Sequence, residues 1–499
     1  IVGYYVAVSQ SNPSILVEPG TFVQDYDYAV FTRGDRYYVK DRLGNIIHSS
    51  SDAKETLQYA TDMLSANSTL AVLPGEYPLT GIWAIHYKEN VTIEGYNAII
   101  YSLVEAPLDE DVHVVEIYYS NHVVFRGFKV IGIKINHHPI FVESSTFVVI
   151  EDCVIERGEE GITLESTNKS TVVKCRILYT ACAGIEIIKN SHYNTVDDCI
   201  FVGCNNRPDI EKSGSLRIWQ GIPAELCAHN QLSNNIIVDS GCYGIQLVGA
   251  IYTTILSNHI INPSDTAIQS VDDHSVVMAN IIEGGKAHGI IAAGQNITII
   301  ANHVYGVSSF GIYSVNGKFH LISDNVLRNI AGQYGIIVYE NPASIIEGNI
   351  LISSGTTASI YVKSENVTIR GNAIYNSPGD GIYCGYYNII TVADNMVIGV
   401  SSVGIRCVQT NQTIIEGNTV INCGATGILV YGGSKNITDV IIVNNIINNN
   451  ASWGIYADMT AGYYLVNSII MCNIIKNNTS GAIGGDVDYN TCIVQDNKT

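Results

Sequence analysis

Residues 343–383 read ASIIEGNILISSGTTASIYVKSENVTIRGNAIYNSPGDGIY, and what recurs inside them decides the fold. Two short apolar runs end in Glu347-Gly348-Asn349 and Arg370-Gly371-Asn372, 23 residues apart, and a small residue precedes Ile at Ser359-Ile360 and again at Gly381-Ile382. Working outward, a Gly-Ile pair returns at Gly161, Gly184, Gly221, Gly244, Gly289, Gly311, Gly335, Gly404, Gly427 and Gly454, with Ala267 filling another slot. The period is about 23, with one insertion of roughly 14 residues before Gly221. In phase with it run Asn235, Asn258, Asn280, Asn302, Asn325, Asn395, Asn418, Asn445, Asn473 and Asn497.

A leucine-rich repeat shares this period and a repeated Asn, but its helical return needs Leu, Ala, Glu and Lys-rich segments that are missing here. The apolar slots are Ile and Val, which suit pleated surfaces. The reading is therefore all-β: a right-handed parallel β-helix of about fourteen coils, each coil three short strands. Like residues then stack at about 4.8 Å, and the Asn amides form a ladder inside one turn. Cys153, Cys175 and Cys199 take that slot in earlier coils, and Cys384 and Cys407 stack inward. Cys182, Cys204 and Cys242 lie near one turn, where a disulfide is expected outside the cell, its pairing left open. Ser50, Ser51 and Asp52 offer caps to a helix whose stripe Ala53, Leu57, Ala60 and Leu64 should plug the open end of the core. The expected organisation is a β-rich leader over 1–48, a capping helix and first strand over 49–78, and the solenoid over 79–499 with a loop insertion at 205–220.

The bulk numbers agree. With 14% charged and 46% hydrophobic residues in 499, and 45 Gly against 11 Pro, the chain is neither disordered nor collagen-like. A formal charge of -20 opposes nucleic acid and anionic membranes as partners. No apolar run reaches the roughly 18–20 residues that span a bilayer. The IVGYYVAV start without Met is read as following a removed leader or a truncation, and the stop on a ladder Asn predicts a further C-terminal segment or a covering neighbour. Sequons at Asn67, Asn90, Asn168, Asn296, Asn366, Asn411, Asn436, Asn450, Asn477, Asn478 and Asn497 are glycosylation candidates, unless a recurring Asn-and-Thr turn creates them by accident.

The Asp-Ala...Leu-Gln-x-Ala-x-Asp helix of 52–62, followed by Leu-Pro-Gly-Glu-Tyr at 73–77, resembles the opening module of pectate-lyase-superfamily β-helices and of phage-type tailspikes. Later coils resemble the repeat of NosD-like proteins, and DYDYAVFTRGDRYYVKDRLGNIIHSSSDA over 25–53 is similar to leaders of β-helix surface proteins of archaea and their viruses. The resemblance covers nearly the whole chain. It implies the fold and a homo-oligomer or docking onto a larger surface or virion assembly, but not one activity, because this scaffold carries lyases, hydrolases, adhesins and spikes.

Candidate chemistry falls in four places. In the insertion, Arg207, Asp209, Glu211, Arg217 and Trp219 offer a stacking face and polar tips for sugar, with Trp219 alternatively shielding the core. On the edge before each Gly-Ile, Ala287-His288-Gly289 resembles the His motif of polygalacturonases, and Asp265 falls where the first Asp of their pair would. Thr266 and Tyr243 occupy the other two acid slots, so a hydrolase would need Glu186, Glu225 or Glu165 as partner. A calcium-dependent lyase lacks a basic residue at coil spacing from Asp152 and Asp198. His137-His138 with Glu159-Glu160 one coil on reads as a divalent metal site or a hydrogen-bonded polar turn. Finally, Gln246, Gln269, Tyr313, Tyr361, Tyr383, Arg406 and Tyr456, with Tyr243 and Tyr334 beside them, make an outward stripe that grips polysaccharide, forms an oligomer interface, or is scattered surface Tyr. The expected function is an extracellular or virion-surface, tailspike- or adhesin-like protein recognising host or environmental polysaccharide. The alternatives are an active glycoside hydrolase or polysaccharide lyase, and a structural subunit without ligand.

Overall fold

The structure, a computed structural model, describes residues 26–105, 107, 110–207, 209, 212–221, 225–270 and 272–499. The first 25 residues of the expected leader, and Glu211, lie outside the described residues.

Each coil contributes three strands to three parallel ladders. Ile345–Glu347 pairs with Val367–Arg370, Ile350–Ile352 with Ala373–Tyr375, and Ala358–Lys363 with Asp380–Gly385, always with the strand one coil away. Alternate residues such as Ile346, Leu351, Ile360 and Val362 point inward and are fully buried, so one continuous Ile/Val core fills the right-handed solenoid. The small residue of Gly-Ile is set by close approach of the next coil: a Cβ at Gly161 would meet the carbonyl oxygen of Gly184 at 2.5 Å.

The third ladder runs through 17 strands, from Trp83–His86 to Gly481–Gly485, so the solenoid has about 17 turns rather than fourteen. Three coils precede residue 150. There Trp83, Val115 and Ile140 hold the inward site that later belongs to the Ile of Gly-Ile. These coils lack the repeat signature because Ala98 and Phe128 take the corner slot that later holds Asn, each after a residue of positive φ (Asn97, Gly127), and Val114 and Pro139 stand where Gly later precedes the inward residue.

That corner carries the expected ladder. Asn349 donates its backbone N–H (3.0 Å) and its Nδ2 (2.9 Å) to Oδ1 of Asn372, and its Nδ2 also reaches the carbonyl of Ile322 (2.9 Å). The pattern repeats from Asn235 to Asn497. The preceding residue has positive φ, as at Asp324, Gly348 and Gly371, hence the Gly, Asp or Asn written there. Cys153, Cys175 and Cys199 occupy the same slot with their Sγ toward strand carbonyls. None of the cysteines forms a disulfide, so the expected bridge among Cys182, Cys204 and Cys242 is not made, and all three thiols are buried.

At the other end, helix Ala53–Asp62 is capped by Asp52, whose Oδ1 accepts Lys54 N at 2.8 Å, and Ala53, Leu57, Ala60 and Leu64 are buried. Trp83 donates its indole N–H to Thr61 Oγ1 (2.8 Å) and packs edge-on against Phe125 and Phe128, closing the core. Tyr28–Arg33, Arg36–Asp41 and Ile46–Ser50 form an antiparallel meander joined to the solenoid through Thr69–Val72.

The stretch 205–220 is not a single looped insertion. Gly214–Trp219 is a strand of the third ladder, with Leu216 standing between Ile185 and Ile245 where the sequence suggested Ile222. Alternating Leu216 and Ile218 face the core, whereas Gly221 has a φ of 74° and lies in a turn.

Candidate functional site

Inward packing of the isoleucines forces their neighbours outward on the third ladder. Through strand register, Thr163, Glu186, Arg217, Gln246 and Gln269 form one column on five consecutive coils. Glu186 Oε1 lies 3.2 Å from Arg217 Nη1, both residues are only 6% exposed, and the guanidinium sits 4.4 Å from the Trp219 ring centroid. Trp219 is thus a half-buried strand residue beneath an arginine, neither a loop-tip wall nor a core shield. Thr163 Oγ1, Gln246 Oε1 and Gln269 Oε1 are enclosed but make no hydrogen bond within the chain. Groups of this kind are costly unless a ligand or water satisfies them. One coil edge further, burial pushes the Asp272 carboxyl up to about 7, although Gly249 N–H donates to its Oδ1 (2.8 Å).

Toward the C-terminus the face turns aromatic. His288, Phe310, Tyr334, Tyr361 and Tyr383 follow one another with ring centroids 4.8, 5.5, 4.4 and 5.1 Å apart, and Tyr313 packs against Phe310 at 5.4 Å. Burial pushes the Tyr361 phenol up to about 12. Arg406 closes the row, its guanidinium 5.8 Å from Tyr383 and its Nε 2.6 Å from Asp380 Oδ2. Tyr456 instead stacks on Trp453.

Toward the N-terminus the same face carries imidazoles and carboxylates. Glu116 lies 3.1 Å from His113 Nδ1 and 2.7 Å from His86 Nε2, and the His113 hydrogen bond holds its carboxyl below the usual range. His138 approaches Glu160, Asp111 and Glu159 at 3.1, 3.4 and 3.7 Å. Burial alone would lower its pKa, but these carboxylates outweigh burial and hold it at about 10. His137 points elsewhere, its Nε2 3.2 Å from the carbonyl of Val104. Side chains able to ligate a metal therefore do gather here.

The proposed catalytic grouping is not assembled. The Asp265 carboxylate caps its own turn, accepting Thr266 N–H (2.8 Å), while His288 Nδ1 accepts Phe310 N–H (3.3 Å), and burial lowers the His288 pKa. Glu186 is held by Arg217 and stands three strand spacings, about 14 Å, from the coil of Asp265, beyond the roughly 6.5–9.5 Å of an inverting pair. Glu225 lies at the opposite corner, its carbonyl accepting Asn190 N–H, and Glu165 pairs with Lys189 at 2.6 Å. Of the carbohydrate candidates, Arg217, Gln246 and Gln269 share the column, with Trp219 on its flank. Tyr313 and Tyr334 join the aromatic row, Tyr243 is half-buried on the edge, and Arg207 is apart in an exposed pair with Asp209 (2.9 Å).

Among the sequons, Asn67, Asn90, Asn296, Asn366, Asn436 and Asn477 are exposed, while Asn168, Asn411, Asn478 and Asn497 are half-buried. Asn450 is buried with its Nδ2 donating to Asn478 Oδ1 (2.9 Å), so the folded chain does not offer it for modification. Sequence reasoning missed a second stack on the corner after the third ladder. There Tyr193, His229, Tyr252 and His274 lie face to face with centroids 4.9, 5.0 and 4.8 Å apart. The signal was available: aromatic rings recur at coil spacing, each on a residue with positive φ.

The family model for the right handed beta helix region matches residues 83–250 and 314–470, more than half of the chain. A model for the periplasmic copper-binding protein NosD matches residues 197–308. No curated protein sequence matches. Among solved structures, ORF18 of Geobacillus virus E2 is 12% identical over 54% of this chain and 53% of its own, with a TM-score of 0.42. The catalytic unit of a GH87 alpha-1,3-glucanase from Streptomyces thermodiastaticus is 17% identical over 66% and 62%, TM-score 0.43. Tailspike protein 3 of bacteriophage CBA120 is 12% identical over 77% and 61%, TM-score 0.38. The chain thus spans between 53% and 62% of the length of these three proteins.

Copper does not fit the residues under the NosD match. His229 and His274 are engaged in the corner stack and His288 accepts a backbone N–H. Among the described residues of 197–308, no three His, Cys, Asp or Glu side chains converge closely enough to share an ion.

Proposed function

This chain belongs to the right-handed beta helix family, and we propose that on that scaffold it is an extracellular or virion-surface protein, tailspike- or adhesin-like, that binds polysaccharide along the third ladder without cutting it. The observation that carries this reading is the trio of enclosed, unbonded oxygens on Thr163, Gln246 and Gln269. All three are acceptors, and sugar hydroxyls are donors of matching size. Arg217 and Trp219 flank the trio, and the Phe310–Tyr383 row continues the same face for several coils, as a long polymer requires. That Asp265 caps its own turn, while Glu186 and Glu165 are held by Arg217 and Lys189, supports binding over hydrolysis. Exposed sequons support a surface location and glycosylation.

A glycan array read with the full chain, followed by calorimetry on the best hit, tests the proposal. Gln246→Ala with Gln269→Ala should weaken binding about tenfold or more, because each removes a specific acceptor. New reducing ends or unsaturated products from the same glycans would instead establish a hydrolase or lyase. No signal on any glycan, together with a homo-oligomer that buries Tyr334 and Tyr361, would establish a structural subunit.

A further inference from the structure

We infer that Asp111, His138 and Glu159 form a binding site for a divalent transition ion of the zinc type, with Glu160 orienting the imidazole. This inference is independent of the carbohydrate reading. The three residues sit on three consecutive coils at one corner, where strand register brings His138 opposite His113, two residues beyond Asp111, and Glu159 follows one coil later. One donor atom from each of Asp111, His138 and Glu159 lies within 4.8 Å of the others.

The distances themselves distinguish a metal shell from an ordinary polar turn. His138 Nε2 stands 3.4 Å from Asp111 Oδ1 and 3.7 Å from Glu159 Oε2. Those separations are long for N–H···O hydrogen bonds, which cluster at roughly 2.7–3.2 Å. They are close to the edge of a tetrahedron with bonds of about 2.1 Å, which is about 3.4 Å. His138 is only 8% exposed, and both of its ring nitrogens are enclosed without a hydrogen bond of acceptable geometry. An imidazole so placed, with Nε2 aimed at two carboxylates, is oriented as a metal ligand is.

The surroundings complete the site. Nδ1 of the same ring lies 3.1 Å from Glu160 Oε2, within ion-pair distance and on the side from which a carboxylate orients a metal-bound imidazole. No Lys or Arg among the described residues pairs with Asp111 or Glu159, and the nearby Lys134 is engaged by Glu105, so His138 is the group the two carboxylates share. The Asp111 side chain is exposed, which leaves an entry path and an open position for water or a ligand oxygen. One imidazole with two carboxylates suits zinc, manganese or iron better than calcium, which prefers oxygen alone, or copper(I), which prefers sulfur.

The test uses the full chain after chelator treatment, titrated with Zn²⁺ against a chromophoric competitor and, separately, with Co²⁺ followed by its visible absorption. One tight equivalent is expected, with a tetrahedral cobalt spectrum, a rise in melting temperature on adding Zn²⁺, and no displacement by Ca²⁺. Asp111→Asn, at an exposed position that leaves the fold intact, should weaken Zn²⁺ by about tenfold or more, and Glu160→Gln should weaken it while keeping the stoichiometry. His138→Gln should abolish it. If wild type and Asp111→Asn bind Zn²⁺ equally, both folded by circular dichroism, the inference is overturned and His138 is an imidazolium neutralised by its carboxylates.

Discussion

The coils before residue 200 and those after 235 share one backbone path but differ inside and out. The early coils line their corner with Cys153, Cys175 and Cys199 and carry His86, His113, a buried His138 and several carboxylates on the outer face. The later coils line it with an unbroken run of Asn and face solvent with Phe310, Tyr334, Tyr361 and Tyr383. The pairing register is unchanged across the change. Inner and outer columns therefore vary separately, and the solenoid tolerates either filling provided each slot is small and self-satisfied.

The largest effect should come from breaking the later ladder. Asn349→Ala removes the acceptor for two donors of Asn325, leaving a buried backbone N–H unpaired, and should cost about 3 kcal/mol in denaturant unfolding. Cys175→Ala, one thiol lost from a packed stack, should cost about 1 kcal/mol. Equal costs would mean that the two fillings are energetically alike.

Acid sharpens the contrast next. His320 is buried and neutral: its Nε2–H donates to the Gly294 carbonyl (2.7 Å), and its Nδ1 accepts from Asn341 Nδ2 (2.7 Å). Burial pushes its pKa down to about 4, against about 6.5 in the unfolded chain. Its contribution is thus complete above pH 6.5 and lost as pH falls toward 4. Melting followed by hydrogen exchange at pH 7 and pH 4 should show protection falling first around residues 294–341, by an amount of order 2 kcal/mol.

Asp272 has the opposite sign and a smaller expected effect. Its folded pKa is raised to about 7, so its stabilising share is present below the unfolded value near 4 and lost as pH rises through 7. Asp272→Asn should therefore raise the melting temperature at pH 8 by a few degrees and change it little at pH 4. The smallest effect is expected at the corner stack: Tyr252→Ala, which unstacks His229 from His274, should cost about 1 kcal/mol and alter the near-ultraviolet dichroism.

Sequence revealed most where a single residue type meets a single requirement. Only a small residue fits before the inward Ile at Gly161 or Gly244, and an amide along the corner gives hydrogens to the next Asn and to a strand carbonyl and accepts two from the Asn before it, so Gly-Ile and Asn were readable at a distance. The first three coils were hidden because Ala98 and Phe128 stand in the Asn slot and Val114 and Pro139 in the Gly slot. Gly221-Ile222 was a decoy: it copies the motif, but Gly214–Trp219 takes the strand because Leu216 and Ile218 fill the core. On the site, outward Gln246 and Gln269 followed from register alone, whereas Arg217 was expected in a loop. The separation of Glu186 from Asp265 did not, because it depended on which residues of 205–221 form the strand. Asp111 was missed because it belongs to a coil without the repeat signature.

Because every strand bonds only to its counterparts one turn before and after, the molecule has a natural unit of currency for change in length. Excising or duplicating a segment such as 349–371 would leave the flanking columns aligned and alter the rod by a single step of about 4.8 Å. Turns absorb a few residues, since coils of 22 and of 28 residues both keep the register, but removing one residue within a strand would turn core side chains toward water. Such a chain can lengthen or shorten its reach in whole turns while its two chemically distinct ends stay as they are.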